Sequence, residues 1–500
     1  IVDVYDFYKK NGYLTGPGRG CLVGDTQVYV NNRLISLKDV KIGDRVYTHD
    51  GSLQNVLNTM KYDISESLLS IRTEYAYKNI KLTKDHKLLG IKRKQISTNV
   101  KEKKWGDFDF KKDLIWDRAD AFKKGDLLYT PWVDREVIDM DSIDLLPFIN
   151  NQNISHDSEF IYLKIPLDNQ FGIRSISAAT RLTRLYISRI KNKKLSVSKL
   201  RKSSMIKLQS HIETLGISLE SWIDLDNTQT YTLKRFLDVD EQTSRIIGRW
   251  IGDGWVTKKD NKFGIAFHKD EIEDQKYFTD WLAKLGCSYT THHSKTKKLT
   301  QIVSNFNYLG YLFKALFPDY NQKSNTKYIG SFLYLKTPLL KELYNGLIGS
   351  DGSINTNKGH KNRVSYDTTS FRLASEFKLL LNYLKTPASI AIRSSHKHGK
   401  YQCNESYKLT FLDPNKQRQT KEHFVTENGY FSKILSIENT DGETEVYDIT
   451  VANNHNYLTS NFIVHNSAGG FLISYLIGIT HINPIKYELS SPRFLTMDRV

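Results

Sequence analysis

Cysteines, long apolar runs and, over one stretch, acidic residues are scarce in this sequence of 500 residues. Its three cysteines, Cys21, Cys287 and Cys403, are too few for a disulfide framework, which favours reduced thiols and a cytoplasmic location. The longest apolar candidate, Gly469–Ile479, is shorter than the roughly 20 residues that cross a bilayer. The first residues also lack the basic-then-apolar layout of a signal peptide. We therefore expect no membrane partner, and we exclude disulfide-stabilised scaffolds.

Basic residues exceed acidic residues by 72 to 55, giving a formal net charge of +17. This surplus favours nucleic acid as a partner. Between Arg174 and Lys207 there are 34 residues with 11 Lys or Arg and no Asp or Glu. Within this stretch, Ser177–Asn192 is typical of a helix-turn-helix, and the alternative is a basic surface helix packed on a neighbouring domain. The candidate DNA-binding residues are Arg181, Arg184, Ser188, Arg189, Lys191, Lys193 and Lys194.

Short alternating segments punctuated by turn residues predict strands at both ends of the chain. Gln27–Val30 and Asn79–Leu82 are early examples, and Lys433–Ile437 and Val446–Val451 are late ones. Between about 240 and 412 the pattern changes to helices followed by strands. The acidic cluster Asp134–Asp144 indicates a boundary before this region. The sequence therefore predicts a β-domain that is split by a helical insertion.

The insertion contains an internal repeat. Ile246–Gly254 and Tyr344–Gly352 align position for position, which places Asp253 and Asp351 98 residues apart. Each copy precedes strands and then an amphipathic helix, predicted over Glu271–Gly286 and Ser370–Lys385. Two copies imply a pseudo-two-fold unit, a symmetry suited to a DNA duplex.

The two edges of the β-domain carry residues that can rearrange peptide bonds. The thiol of Cys21 can attack the carbonyl of Gly20 and convert that amide into a thioester. The hydroxyl of Ser467 can accept the acyl group, and Asn466 can cut the chain by attacking its own carbonyl. His465 is placed to protonate the departing group. These steps would release residues 21–466 and leave a Gly20–Ser467 peptide bond.

Four further residues can assist these reactions. Thr83 and His86 are three apart after a predicted strand, a spacing that allows them to hold and protonate the scissile amide nitrogen. Asp448 and His455 add a carboxylate and an imidazole near the C-terminal edge.

These motifs resemble those of inteins, which are self-splicing protein elements. The matching segments are Cys21–Thr26, Leu82–His86, Val446–Tyr457 and Asn461–Ser467. The resemblance implies a β-horseshoe, the Hint fold, that brings the two edges together and needs no cofactor for splicing. It implies the following catalytic residues: Cys21 and Ser467 as nucleophiles, Thr83 and His86 at the first bond, Asp448 and His455 in transfer, and His465 and Asn466 in cyclisation.

The repeat resembles that of LAGLIDADG homing endonucleases. Small residues at Gly248 and Gly346 would let two helices pack closely, so that Asp253 and Asp351 meet at the helix ends. The resemblance implies that these aspartates are catalytic and hold Mg²⁺, with Lys327 as a basic residue near the attacking water.

The first copy departs from this pattern at Arg249 and Trp250, which stand at usually aliphatic positions. This departure puts nuclease activity in question. An alternative is that Asp253 and Asp351 only cap turns before glycines.

The flanking segments supply a separate indication. Joining Leu14–Gly20 to Ser467–Gly470 creates a glycine-rich, Arg-containing loop. This loop resembles one in the bacterial DNA polymerase III alpha subunit, and Gly478–Tyr487 also fits that family. The metal-binding aspartates of such a polymerase are not recognisable, so we expect no DNA polymerisation.

The predicted fold class is multidomain: an all-β Hint horseshoe split by an α+β LAGLIDADG endonuclease domain with a pseudo-two-fold repeat. The predicted domains are an N-terminal polymerase flank (1–20), two Hint parts (21–135 and 416–466), a linker with the basic region (136–235), the endonuclease (236–415) and a C-terminal polymerase flank (467–500).

The expected partners are double-stranded DNA of the intein-free host gene and the flanks of the same chain, and we expect a monomer. One alternative is a splicing element whose decayed endonuclease only binds DNA. Another is a hedgehog-type autoprocessing domain, against which the His465–Ser467 ending argues.

Overall fold

The computed structural model describes residues 20–64, 66–93, 113–145, 148, 161–164, 220–224, 232–294, 296, 298–355, 363–398, 401–416, 424–440 and 445–466. The predicted helix-turn-helix with its candidate DNA-binding residues, Ser467, and all of both flanks except Gly20 lie outside these ranges. Among the described residues, no helix is both long and apolar enough to cross a membrane.

The described strands are spread along the whole chain, and most of them are short. Before residue 136 they are β1 Leu22–Val23, β2 Gln27–Val30, β3 Arg33–Ser36, β4 Arg45–Tyr47, β5 Leu53–Asp63, β6 Leu68–Thr73, β7 Ile80–Leu82, β8 Lys87–Ile91, β9 Ile115–Arg118 and β10 Leu127–Pro131. In the middle they are β11 Ser142–Asp144, β12 Ile161–Lys164, β13 Glu220–Asp224, β14 Thr232–Lys234, β15 Phe236–Asp238, β16 Gly254–Val256, β17 Phe263–His268, β18 Tyr289–His293 and β19 Leu299–Ser304. The remainder are β20 Gly352–Ile354, β21 Arg363–Thr368, β22 Ala388–Arg393, β23 His396–His398, β24 Tyr401–Cys403, β25 Ser406–Leu412, β26 Phe424–Val425, β27 Gly429–Thr440, β28 Glu445–Val451, β29 Asn456–Leu458 and β30 Ile463–His465.

The α-helices of the described residues all follow residue 240. They are α1 Glu241–Asp253, α2 Ile272–Lys284, α3 Tyr308–Leu316, α4 Thr337–Asp351 and α5 Phe371–Tyr383. The predicted helices over Glu271–Gly286 and Ser370–Lys385 are confirmed as α2 and α5.

The chain forms two compact units. Ile1–Glu136 with Ser353–Val500 makes one, here called the sheet unit, and Val137–Gly352 makes the other, the helix-pair unit. The first boundary falls inside the acidic cluster Asp134–Asp144. The second falls at Gly352, so the strands and helix after the second repeat motif belong to the sheet unit.

The sheet unit is built on one large antiparallel sheet. Its strand order is β29-β30-β8-β10-β27-β6-β7-β1-β28-β5-β4-β2-β3, with β26 beside β27 and β9 beside β8. A single bridge joins Val28 of β2 to Thr459 just after β29, so the sheet curves until strands near its two ends meet. Its concave interior is filled by fully buried aliphatic side chains such as Leu22, Leu88 and Val464.

The order of the strands places both edges of the β-domain beside one turn. β1, which follows Cys21, lies between β7 and β28, with Leu22 opposite Leu82. β30, which precedes Asn466, pairs with β8 through Val464 and Leu88. Because the Thr83–His86 turn connects β7 to β8, it is flanked by both ends of the chain segment that is predicted to be released.

Helix α5 differs from the amphipathic helix predicted from its sequence. The ten consecutive residues from Leu373 to Asn382 are all buried, so no face of this part of the helix is solvated. One side of α5 covers β21, β25 and β22, and the other packs against β3 of the large sheet. Ser370 caps its start by accepting a hydrogen bond from the Leu373 N–H at 3.1 Å.

The helix-pair unit is organised around the contact of α1 with α4. A side chain at Gly248 would overlap the carbonyl oxygen of Leu343, and one at Gly346 would overlap that of Arg245. The predicted close approach at the two glycines is therefore confirmed. Behind α1 lies a sheet in the order β16-β17-β19-β18.

Trp250 has a structural role in this unit. It is 2% exposed, with ring-centroid distances of 4.6 Å to Phe313 and 5.2 Å to Phe317. The departure from an aliphatic residue at this position is thus accommodated by an aromatic core.

The region predicted as a linker, 136–235, contains strands among its described residues. β11 pairs with β15, and β12, β13 and β14 form a small sheet.

Candidate functional site

Thr83 forms two hydrogen bonds with Cys21, one of them to the nitrogen of the Gly20–Cys21 peptide bond. The Cys21 N–H donates to Thr83 Oγ1 at 3.0 Å, and the Thr83 N–H donates to the Cys21 carbonyl at 3.0 Å. Cys21 is fully buried and packs with Val23, Leu68 and Val446. The Thr83 hydroxyl therefore contacts the nitrogen of the predicted scissile bond, as the sequence predicts.

His86 lies against the same bond. Gly20 has a φ of +97°, and a side chain there would come within 2.7 Å of His86 Nδ1, so glycine is required both by conformation and by space. The imidazole is fully buried. Burial, and secondarily the nearby His465, lowers the pKa of His86 to about 3, so this imidazole is neutral at neutral pH.

The His86 side chain lies near both ends of the segment that is predicted to be released. It interacts with backbone groups of Gly20 and Cys21 at the N-terminal junction and of His465 at the C-terminal junction. The backbone N–H of His86 donates to the Thr83 carbonyl at 3.2 Å, which closes the turn just before β8. One side chain is thus close to both predicted reaction points.

Asp448 is buried on the same side of the sheet as Cys21. It accepts hydrogen bonds from the Tyr457 hydroxyl at 2.6 Å and from the Ile449 N–H at 2.8 Å. Burial, followed by the charges of Cys21 and Asp448, raises the pKa of Tyr62 to about 12. Tyr62 and Tyr457 therefore also lie near the Cys21 thiol. We did not predict either tyrosine as a site residue, although Tyr457 ends the Val446–Tyr457 segment.

Asn466 is held in place by backbone groups. Its N–H donates to the His455 carbonyl at 3.0 Å. The side-chain amide satisfies both of its ends when it is oriented with its nitrogen toward the same carbonyl, at 2.6 Å, and its oxygen toward the Val451 N–H, at 3.0 Å. These contacts use main-chain atoms, which residue types do not reveal. His455 itself adopts a φ of +53°, and burial lowers the pKa of its imidazole.

His465 contacts the other predicted scissile bond. Its Nδ1 lies 2.7 Å from the carbonyl oxygen of Asn466. The ring packs edge-to-face on Trp116 of β9, with centroids 5.1 Å apart. His465 can therefore polarise the carbonyl that the Asn466 side chain would attack. The acceptor Ser467 lies beyond the described residues.

The second candidate site is formed by the ends of α1 and α4. α1 ends at Asp253 and α4 ends at Asp351, as predicted, and each is followed by glycine. Burial, and next the charge of Asp351, raises the pKa of Asp253 to about 6. The carboxylates of Asp253 and Asp351 are thus close enough for the charge of Asp351 to affect the pKa of Asp253.

Basic groups surround the paired aspartates. Arg249 is 5% exposed, with a nitrogen 3.5 Å from Asp253 and 2.5 Å from Glu271. Lys327 donates from Nζ to the Gly252 carbonyl. Burial lowers the pKa of Lys327, against the opposing effect of Asp351 and Asp253.

The half-buried Asp253 and the exposed Asp351 provide two carboxylates, a suitable donor set for Mg²⁺, which prefers oxygen ligands and retains several waters. Within the described ranges, no cluster of three or more His, Cys, Asp or Glu residues is suited to hold a metal ion. A cation at this site would therefore need ligands from water or DNA in addition to Asp253 and Asp351.

Comparison with known proteins gives a family match over most of the chain. A family model described as the intein splicing domain matches residues 23–466. The ATP-dependent DNA helicase Hel308 of Thermococcus kodakarensis is 22% identical over 475 residues, covering 90% of this chain and 36% of that protein. The uncharacterized protein MJ1054 of Methanocaldococcus jannaschii is 20% identical over 405 residues, covering 75% of this chain and 41% of that protein. The chain thus spans less than half the length of these relatives.

Solved structures give weaker likenesses. I-DmoI in complex with DNA and Mn is 16% identical, covers 35% of this chain and 90% of that chain, and has a TM-score of 0.26. The N-terminal LAGLIDADG domain of DUF199/WhiA is 12% identical, covers 36% of this chain and 79% of that chain, and has a TM-score of 0.25. TM-scores this low do not establish a shared fold.

Proposed function

Because this chain belongs to the intein splicing domain family, we propose that it releases residues 21–466 and joins Gly20 to Ser467. The observation that carries the proposal is the position of the Thr83–His86 turn. Thr83 contacts the nitrogen of the first bond, and His86 lies between that bond and His465. A curved sheet of this kind is consistent with the predicted Hint horseshoe.

The first step is an exchange of acyl bonds at Gly20. Cys21 Sγ attacks the Gly20 carbonyl carbon, the C–N bond breaks, and a thioester and a free amine form. The thiol proton passes to the departing nitrogen, with the neutral imidazole of His86 as carrier. The Thr83 hydroxyl holds the nitrogen by accepting its N–H at 3.0 Å. Exclusion of water from this buried pocket limits hydrolysis of the thioester.

The next steps transfer the acyl group and cut the second bond. The Ser467 hydroxyl attacks the thioester, forming an ester and returning the thiol, and Asp448 and His455 assist the transfer. The Asn466 side-chain nitrogen then attacks its own carbonyl, forming a succinimide and breaking the bond to Ser467. His465, with Nδ1 at 2.7 Å from that carbonyl, polarises it. The freed Ser467 amine attacks the ester and gives the final peptide bond.

Junction variants test this sequence of steps. We expect Cys21→Ala to stop release of the N-terminal flank while Asn466 cyclisation still frees residues 467–500. We expect Asn466→Ala to stop C-terminal release while added thiol still cleaves at Gly20. Mass spectrometry identifies each product. A ligated product from either variant would contradict the mechanism, and N-terminal release without ligation in the wild type would favour the hedgehog-type alternative.

We further propose that the helix-pair unit supports cleavage of double-stranded DNA. The supporting observation is the charge-coupled pair of Asp253 and Asp351 at the ends of two closely packed helices. These aspartates would hold Mg²⁺, which when bound polarises the scissile phosphate and lowers the pKa of water. Lys327, bonded beside Asp253 at Gly252, adds positive charge near the phosphate. The basic stretch around Arg181–Lys194 would supply further DNA contacts.

A duplex encoding the uninterrupted Gly20–Ser467 junction tests the nuclease. We expect cleavage with Mg²⁺ and no cleavage of the same duplex interrupted by the coding sequence of residues 21–466. Retained binding without cleavage would support the alternative of a decayed endonuclease.

The host assignment and domain limits are also proposals. We propose that 1–20 and 467–500 are parts of a DNA polymerase III alpha subunit, supported by the loop that forms when they are joined. Sequencing the complete gene tests this, since polymerase sequence should continue on both sides. The predicted domain limits can be tested by limited proteolysis, which should cut near 136 and 416.

A further inference from the structure

Lys378 is a buried cation in the middle of α5. It is 4% exposed, and no ion pair joins it to a carboxylate within the described residues. Its Nζ donates to the Tyr75 carbonyl at 2.8 Å and to the Ser460 carbonyl at 2.7 Å. Burying an ammonium group is unfavourable unless hydrogen bonds compensate it, and burial accordingly lowers the pKa of Lys378 to about 7. A methionine of similar length would fill the same space without burying a cation. Stability alone therefore does not explain why a lysine makes these two hydrogen bonds.

The two carbonyls belong to segments that lead to opposite splice junctions. Tyr75 lies in the loop between β6 and β7, and β7 leads directly to Thr83. Ser460 lies in the turn between β29 and β30, and β30 leads to His465 and Asn466. One ammonium group therefore ties the approach to the first junction to the approach to the second.

The turn at Ser460 is the closed end of a hairpin whose open end is reactive. In this hairpin Asn456 pairs with His465, next to His455 and Asn466. The hairpin has only three paired positions, so a displacement of its turn is transmitted to its open end. A shift of about 1 Å can cost about 100-fold in rate when groups must be aligned for attack.

A second set of hydrogen bonds, made by Asn461, also holds the turn that contains Ser460. The Asn461 side chain accepts from the Tyr77 N–H at 2.9 Å and donates to the Lys78 carbonyl at 2.6 Å. The Thr130 hydroxyl donates to the Asn461 carbonyl at 2.8 Å. The first two bonds come from the β6–β7 loop, which also contains Tyr75, and the third comes from β10, whereas Lys378 comes from α5.

Helix α5 is itself fixed on the large sheet. The Asn382 side chain accepts from the Val133 N–H at 2.9 Å and donates to the Pro131 carbonyl at 3.0 Å. Because Lys378 lies one turn before Asn382 on the same helix, these bonds also fix the position of Lys378 along the sheet. The sequence places α5 after the second repeat motif, in the predicted endonuclease.

We propose that Lys378 is a positioning residue for the C-terminal half of the splicing reaction. Supplied by a helix of the inserted region, it fixes the Ser460 turn and thereby the alignment of His465 and Asn466. This inference rests on the proposed splicing function. It also means that the region after Ser353 cannot be removed without loss at the C-terminal junction, even where DNA cleavage is dispensable.

The test measures each junction separately in the full chain. C-terminal release is followed in a Cys21→Ala background and thiol-induced N-terminal cleavage in an Asn466→Ala background. Each background carries Lys378→Met, Lys378→Arg or, as a matched control, Lys385→Met, since Lys385 is exposed two residues after α5. We expect Lys378→Met to slow C-terminal release by about tenfold or more and thiol cleavage by less than about threefold. Lys378→Arg, which keeps a cationic donor, should recover part of the rate.

The outcomes separate this inference from its premise. Failure of both backgrounds with Lys378 intact to release either flank would contradict the proposed function itself. Equal rates for Lys378→Met and Lys385→Met, or an equal fall at both junctions, would overturn the positioning role, because general loosening affects both ends. If Lys378→Met does not fold, Lys378→Arg decides: slower C-terminal release alone supports the role, and wild-type rates at both junctions overturn it.

Discussion

The residues around the splice junctions are buried and largely neutral, whereas those around the paired aspartates are mostly charged. His86 has no exposed surface, and Asp448 is bonded to a tyrosine hydroxyl and a backbone N–H. Asp253 instead lies among Arg249, Glu271 and Lys327. The difference matches the chemistry proposed for each site. Acyl exchange moves protons between neutral groups away from water, while phosphate hydrolysis needs carboxylates that retain charge for a cation.

The two repeat copies also differ from each other. Arg249 stands one turn before Asp253 and forms an ion pair with it, whereas the equivalent position before Asp351 is the buried Leu347. The first carboxylate therefore has a counter-ion on its own helix that the second copy does not supply from this position. The two aspartates are related in sequence but unequal in environment.

Removing either aspartate should produce the largest effect. We expect Asp253→Ala or Asp351→Ala to reduce duplex cleavage by about 1,000-fold or more, because cation binding contributes several kcal/mol to such reactions. Splicing should stay within about twofold, since the junction residues belong to the other unit. The exposed Asp260→Ala serves as the control for loss of charge. Loss of both activities together would contradict the assignment of separate sites.

Thr83→Ala should have the next largest effect, confined to the first junction. Without the hydroxyl, the buried Cys21 N–H loses its acceptor, which costs about 1–3 kcal/mol. Thiol-induced cleavage in an Asn466→Ala background should therefore slow by about 10- to 100-fold. Thr83→Ser keeps the oxygen and should remain within a few-fold of the wild type. Equal rates for the alanine and serine variants would show that the hydroxyl does not act on this bond.

The close packing of α1 against α4 can be tested by measuring stability, with no substitution of a predicted site residue. Gly248→Ala places a methyl group against the Leu343 carbonyl, and overpacking of this kind costs about 1–3 kcal/mol. Gly349→Ala is the control on the same helix pair, because its methyl group would lie 3.1 Å from a side-chain nitrogen of Arg249 and not against a backbone carbonyl. Urea unfolding followed by tryptophan fluorescence should show the loss for the first variant alone. Equal stabilities would refute the close helix contact.

Sequence patterns predicted the features that periodicity or a short motif carries. The split β-domain follows from periodicity, the contact of Thr83 with Cys21 across 62 residues from the spacing of a short motif, and the ends of α1 and α4 from the resemblance of the repeat to a known family. Long-range packing could not be predicted in this way. Lys378 meets Ser460 across 82 residues, and Arg249 meets Glu271 across 22. The His455 carbonyl, which holds Asn466, is a backbone atom that any residue would carry.

The last expected effect concerns the pH dependence of stability, which tests the neutral character of the junction. The pKa of His86 is lowered to about 3, so the unfolded chain binds a proton more readily than the folded one. Stability is thus present above the ordinary pKa of about 6.5 and falls with decreasing pH by up to about 1.4 kcal/mol per unit. We expect His86→Gln to flatten this slope between pH 6.5 and 4, and the exposed His292→Gln to leave it unchanged. An unchanged slope for His86→Gln would indicate that the imidazole is charged in the folded protein.

Intact mass measurement of the purified wild-type chain tests most directly whether its distant ends react with each other. The account predicts two new species, one of residues 21–466 and one in which residues 1–20 are joined to 467–500. Recovery of only the full-length chain, or of separate flanks that are never joined, would contradict it.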